Sequence, residues 1–194
     1  GSGGYGQAFA QAGWGEWGTA MQTDVEDAVA HAIRLKGLDA ARVAIMGGSY
    51  GAYAAMMGAV LRPDLYKAVI GWAGVYDLPI FLEYERTTDD TPDDFIYTVW
   101  RNRIGDPSTN RAAIEAASPS RRAGEIQCPV MLVHGEFDEI APKSQAEVMK
   151  RALQSAGKTV DYVEIRNAGH GSWVDEVDVE LWRRYVEFLQ RAFA

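Results

Sequence analysis

The chain has 194 residues, 47% hydrophobic and 24% charged, which suits one globular domain with a sizeable core and excludes a disordered tail. Its 19 basic and 27 acidic residues give a net charge of −8, which repels phosphate backbones and argues against a nucleic-acid partner. The apolar runs fall short of the ~18 residues a membrane span needs, and one cysteine, Cys128, excludes an internal disulfide and any zinc-type Cys/His spacing.

The chain has no Asn-x-Ser/Thr sequon and no basic-then-apolar leader. These absences set the expectation of a reducing, cytoplasmic setting with neither membrane nor nucleic acid involved. Near the start, Gly13-x-Gly15-x-x-Gly18 matches a dinucleotide fingerprint on paper. That motif needs a strand directly before it and a helix directly after it. Residues 5–12 are not strand-like, so Trp14 and Trp17 are read as packing residues. Thr23 and Glu26 form a capping-box pattern ahead of Val25, Ala28, Val29, Ala32 and Ile33, with Gly37 as the stop. His31 falls inside that helix, at its surface or at the edge of the core.

An apolar run over residues 42–46 leads into Gly47-Gly48-Ser49-Tyr50-Gly51 and then an apolar helix to Leu61. Further runs cover 68–72, 129–133 and 160–165. Helical patterns cover 142–156 and a final segment with Trp182, Tyr185, Val186, Leu189 and Phe193 on one face. Short apolar runs alternating with helix-length connections predict an α/β fold with a parallel sheet covered on both faces. Residues 78–118 break the alternation and read as a helical insertion, with helices around 94–103 and 109–117. Its acidic start (Glu83, Glu85, Asp89, Asp90, Asp93 and Asp94 against Arg86) is a solvated face or a lid that draws a positively charged substrate end.

A Gly-x-Ser-x-Gly turn between strand and helix is the signature of a nucleophile elbow. Gly47 and Gly51 are expected to relieve Cβ clashes while Ser49 is lifted clear of the backbone. The helix that follows aims its N–H groups, Tyr50 foremost, at a developing oxyanion. A serine hydroxyl needs a base, and the base needs an acid to fix its tautomer. His170, between Gly169 and Gly171 beyond the strand ending at Ile165, suits the base. His134, which closes a strand, reads as structural. Asp138 lies in the loop after His134, where Glu136 and Glu139 compete with it for the acid role. The chain order Ser49, Asp138, His170 is that of α/β-hydrolases.

Gly4-Tyr5-Gly6 with Phe9, Trp17-Gly18 and the whole stretch 42–53 carry a resemblance to the catalytic domain of the prolyl oligopeptidase family of serine peptidases. Pro63-Asp64-Leu65-Tyr66-Lys67-Ala68, Gly105-Asp106-Pro107, Ser118-Pro119, His134-Gly135-x-x-Asp138 and Gly169-His170 extend it across nearly the full chain. The sequence is most similar to the dipeptidyl-aminopeptidase and acylaminoacyl-peptidase branch. The resemblance implies an α/β-hydrolase fold and peptide-bond cleavage without a cofactor. It also implies Ser49 as nucleophile, Asp138 as acid, His170 as base and Tyr50 N–H as an oxyanion donor.

Family members carry a β-propeller and further strands with a His-Gly-Gly-Pro-type turn ahead of the point where this sequence starts. The expectation is therefore a shortened domain lacking the usual second oxyanion donor, a loss of about 10²–10³ in rate. The first strand should then have a bare edge through which the chain self-associates or pairs with another segment. Peptides or small acyl compounds are the expected substrates, with an ester hydrolase or a catalytically weak fragment as the alternatives.

Overall fold

The computed structural model describes residues 2–171 and 175–194. Among the described residues, four strands form one parallel sheet in sequential order: β1 (Val43–Gly48), β2 (Tyr66–Trp72), β3 (Val130–Gly135) and β4 (Val160–Ile165). Sequential parallel strands need crossovers of the same hand, which send the connecting helices to one face. Accordingly α3 (Tyr50–Leu61) and α7 (Ser144–Ser155) share a core with Ile45, Val69, Val130 and Leu132. On the opposite face α8 (Asp175–Ala192) packs Leu181, Tyr185 and Phe188 against Ala68, Ile70, Met131 and Val133. Layered in this way, β3 is buried throughout while β1 and β4 are half-buried edges.

The four predicted strands are present, and the β4 range agrees at both ends. Three helical expectations need correction. The first long helix, α2 (Ala20–Lys36), starts a turn before the predicted capping box. Its entry is braced by Glu16, whose carboxylate accepts from Thr19 Oγ1 and the Ala20 amide. Thr23 lies inside the helix and bonds back to the Thr19 carbonyl at 3.3 Å. In α8 the buried stripe is Leu181, Tyr185 and Phe188, whereas Trp182 and Val186 are 59% and 51% exposed. Two apolar stripes share Tyr185, and the sheet selects the one that stacks Tyr185 on Trp72.

Residues 78–118 hold three α-helices where two were expected: α4 (Leu78–Thr88), α5 (Phe95–Ile104) and α6 (Arg111–Ala116). The sequence pattern hid α4 because its inward face is Leu78, Phe81, Leu82 and Glu85, so a carboxylate interrupts the apolar stripe. Asp77 caps α4 by accepting from the Ile80 amide at 3.1 Å. The same buried carboxylate takes Ser120 Oγ at 2.9 Å and Arg121 Nε at 3.1 Å. Before the sheet, α1 (Gln7–Gln11) is a short helix, not a strand, so the glycine triplet at 13–18 lacks the strand that nucleotide binding needs. Trp17 is buried against Tyr50, Tyr53 and Trp100, while Trp14 is 44% exposed and only partly fits its predicted packing role.

Candidate active site

Ser49 follows β1 directly and adopts a strained positive-φ backbone with φ 55° and ψ −121°, a conformation that costs a non-glycine residue about 1–3 kcal/mol. The turn is held from both sides. The Ser49 amide donates to the Trp72 carbonyl at 2.9 Å, and the Ser49 carbonyl accepts from Ala52 and Tyr53 of α3. Glycine is required at two positions here, but not at both of those expected. A Cβ on Gly47 would lie 2.5 Å from the Gly51 backbone, and one on Gly48 2.2 Å from Trp72 Nε1. At Gly51 a Cβ would meet nothing within 4 Å. Gly51 thus supplies backbone for Gly47 to approach, and it is Gly48 that yields to a side chain.

The loop after β3 offers three acids, and its conformation selects one. Asp138 Oδ1 accepts from the amides of Ile140 at 3.0 Å and Ala141 at 2.9 Å, which fixes the carboxylate inward. Glu136 instead accepts from the Asn167 amide at 3.0 Å and braces the next loop. Glu139 is exposed, and its backbone carbonyl takes the Tyr84 hydroxyl of α4 at 2.8 Å. Burial pushes the Asp138 carboxyl up, but donors from His134, Ala141 and His170 outweigh burial and hold it below its ordinary value.

The loop after β4 is pinned to the loop after β3. Phe137 N donates to Ala168 O at 2.8 Å and Glu136 N to Ile165 O at 2.9 Å. Gly135 allows this docking, since a Cβ there would lie 2.2 Å from the Gly169 carbonyl oxygen and 2.6 Å from that of Ala168. Gly169 therefore serves a close backbone approach, and it is not a free hinge for His170.

These three loops bring the predicted residues together. His170 Nδ1 lies 3.0 and 2.9 Å from the two Asp138 oxygens, and His170 Nε2 lies 3.0 Å from Ser49 Oγ. A carboxylate can only accept, so the imidazole proton sits on Nδ1 and Nε2 is free to take the serine proton. All three side chains stand beyond the carboxyl ends of different parallel strands, where open α/β sheets build their sites. At the start of α3, the Tyr50 amide takes no backbone acceptor among the described residues and lies next to the nucleophile. Burial, with a smaller push from Asp24, raises the Tyr50 phenol to about 12. Its side chain belongs to a cleft of about 410 Å³ that also includes Trp17, Met21, Trp100 and Arg103.

Three of the insertion's acidic residues have partners or surroundings within the insertion itself. Glu83 is paired with Arg86, and Asp89 accepts from the amides of Thr91 and Tyr97. Glu85 is turned inward, where burial and then Asp89 push its carboxyl up to about 7. Among the described residues no group of three or more His, Cys, Asp or Glu is placed to hold a metal ion. No described helix is long and apolar enough to cross a membrane.

The chain matches the prolyl oligopeptidase family over residues 1–194. It belongs to that family. The family assignment agrees with the α/β-hydrolase geometry and accounts for the sequence motifs on all three loops. Dipeptidyl aminopeptidase BIII of Pseudoxanthomonas mexicana is 32% identical over 173 residues, covering 88% of this chain and 24% of the relative. Esterase LipQ of Mycobacterium tuberculosis is 31% identical over 141 residues, covering 66% of this chain and 32% of that protein. Among solved structures, a puromycin-hydrolyzing peptidase of Mycobacterium tuberculosis superposes with TM-score 0.86 at 28% identity, covering all of this chain and 28% of its own. The chain thus spans about a quarter to a third of these family relatives.

Proposed function

We propose that this chain is a serine-type peptidase unit acting by acyl transfer, with Ser49 as nucleophile, His170 as base and Asp138 as the acid that orients it. The observation that carries the reading is the continuous hydrogen-bonded path Ser49 Oγ to His170 Nε2 and His170 Nδ1 to Asp138, with both links at about 3.0 Å. In the proposed cycle Ser49 Oγ bonds to the substrate carbonyl carbon as its proton passes to His170 Nε2. The carbonyl electrons move to oxygen, where the Tyr50 N–H donates. The C–N bond then breaks, its electron pair going to the amine together with the proton from His170. Water, deprotonated by His170, attacks the acyl-serine, and the reverse proton transfer frees Ser49.

Peptides, as the name of the aminopeptidase relative suggests, are the proposed substrates. The esterase relative supports a second reading, small acyl esters. Turnover of an aminoacyl-anilide against a p-nitrophenyl ester separates the two. Either activity must vanish in Ser49→Ala, and turnover that survives this substitution would remove the proposed nucleophile. We further propose that the edge of β1 not paired with β2 takes another strand, from a second copy of the chain or from another segment. Strand β1, Val43–Gly48, carries no charged residue, whereas the opposite edge, β4, is guarded by Asp161 and Glu164.

A further inference from the structure

We propose that His134 is a positioning residue for the triad, holding the Asp138 carboxylate and its loop through one shared N–H. This inference rests on the proposed function above and concerns the same site. His134, near the end of β3, is fully buried. Its Nε2 lies 2.7 Å from the Ala141 carbonyl oxygen and 3.3 Å from Asp138 Oδ2. A carbonyl only accepts, so Nε2 must carry the proton. Among the described residues His134 Nδ1 has no partner, and it is sealed from solvent, so a proton there would be a buried unpaired donor. The surroundings therefore impose the Nε2–H tautomer, the opposite of the one imposed on His170.

Two imidazoles thus face one carboxylate. Asp138 Oδ2 meets His170 Nδ1 at 2.9 Å and His134 Nε2 at 3.3 Å, while Oδ1 is held by the amides of Ile140 and Ala141. The Ala141 carbonyl and amide are then both anchored, the first on His134 and the second on Asp138, which closes the loop after β3 into a rigid bracket. From α4 the titratable group near Asp138 is Tyr84, whose hydroxyl is committed to the Glu139 carbonyl. Every donor on the carboxylate shares its charge, so His134 tempers the pull of Asp138 on the His170 proton. Without that donor, Asp138 binds the protonated form of His170 more strongly and the base is released only at higher pH.

The test is the rate of Ser49 phosphonylation by a fluorophosphonate probe between pH 5 and 9, in wild type, His134→Gln and His134→Leu. Glutamine can place an N–H near the His134 Nε2 position, whereas leucine fills the space without a donor. The expected result for His134→Leu is a rate about fivefold to tenfold lower, set by one lost hydrogen bond, with the acid half-point displaced upward. His134→Gln should keep the wild-type half-point. Each rate is divided by the folded fraction measured by circular dichroism at the same pH, so a loss of stability cannot imitate the displacement. In the wild type, long-range ¹H–¹⁵N correlation should show His134 protonated on Nε2. Protonation on Nδ1, or a His134→Leu profile with an unmoved half-point, overturns this inference alone. A wild type unlabelled at every pH overturns the proposed function and this inference with it.

Discussion

Gly135→Ala places one methyl group where the loops carrying Asp138 and His170 touch. The new Cβ would lie 2.2 Å from the Gly169 oxygen and 2.6 Å from the Ala168 oxygen, whereas ordinary contact begins at 3.4 Å. Both obstacles are backbone, so no side chain can swing away, and one loop must retreat by about 1 Å. His170 follows Gly169 directly, and its Nε2 is only 3.0 Å from Ser49 Oγ. A displacement of that size breaks the serine link or tilts the imidazole. Misplacement of a reacting group by about 1 Å costs on the order of 10² in rate, and overpacking of this kind costs about 1–3 kcal/mol of stability. The assay is the second-order rate of fluorophosphonate labelling, read beside a thermal melt. A folded Gly135→Ala protein labelled at the wild-type rate would refute the claim that this contact sets the triad's spacing.

Further outcomes follow from the same geometry. Asp138→Asn keeps its oxygen on the Ile140 and Ala141 amides and turns an N–H donor toward His170 Nδ1, which imposes the wrong tautomer, and its labelling rate should fall by about 10⁴. Because Asp138 is held below its ordinary value, its contribution to stability is complete above that value and is lost as pH falls through the folded-state value. Urea melts at falling pH should therefore show a shallower acid loss for Asp138→Asn than for wild type. Glu85 has the opposite sign. Raised to about 7 from an ordinary 4.5, it withdraws stability as pH climbs between those values, so Glu85→Gln should stabilise the fold at pH 8 by about 1–3 kcal/mol and leave it unchanged at pH 4. Static light scattering of these 194 residues alone should find dimers or larger species formed through β1, and a monodisperse monomer at high concentration would contradict pairing between copies.

Several parts of this molecule were legible from residue pattern because a local rule and a long-range rule agreed. Gly47-Gly48-Ser49 between an apolar run and an apolar helix specifies an elbow, and the carboxyl-end placement of His170 and Asp138 follows from the parallel sheet. Spacing alone does not choose among Glu136, Asp138 and Glu139, since all three lie within four residues; the family motif His134-Gly135-x-x-Asp138 points to Asp138, and the turn toward the Ile140 and Ala141 amides gives the physical reason. Helix α4 was concealed by Glu85, a carboxylate on its buried face. The α8 stripe was misplaced by one position because Leu181, Trp182, Tyr185, Val186 and Phe188 support two overlapping faces, and only the sheet's own surface decides between them. The docking of Gly135 on Gly169 joins residues far apart in sequence, and no periodicity encodes it.

The most direct measurement is peptide mapping by tandem mass spectrometry after labelling with a fluorophosphonate at pH 8. One phosphonylated residue, Ser49, is expected, with modification lost in His170→Ala and slowed when the pH is lowered. A label on any other residue, or equal labelling of Ser49 in the presence and absence of His170, would contradict the proposed triad.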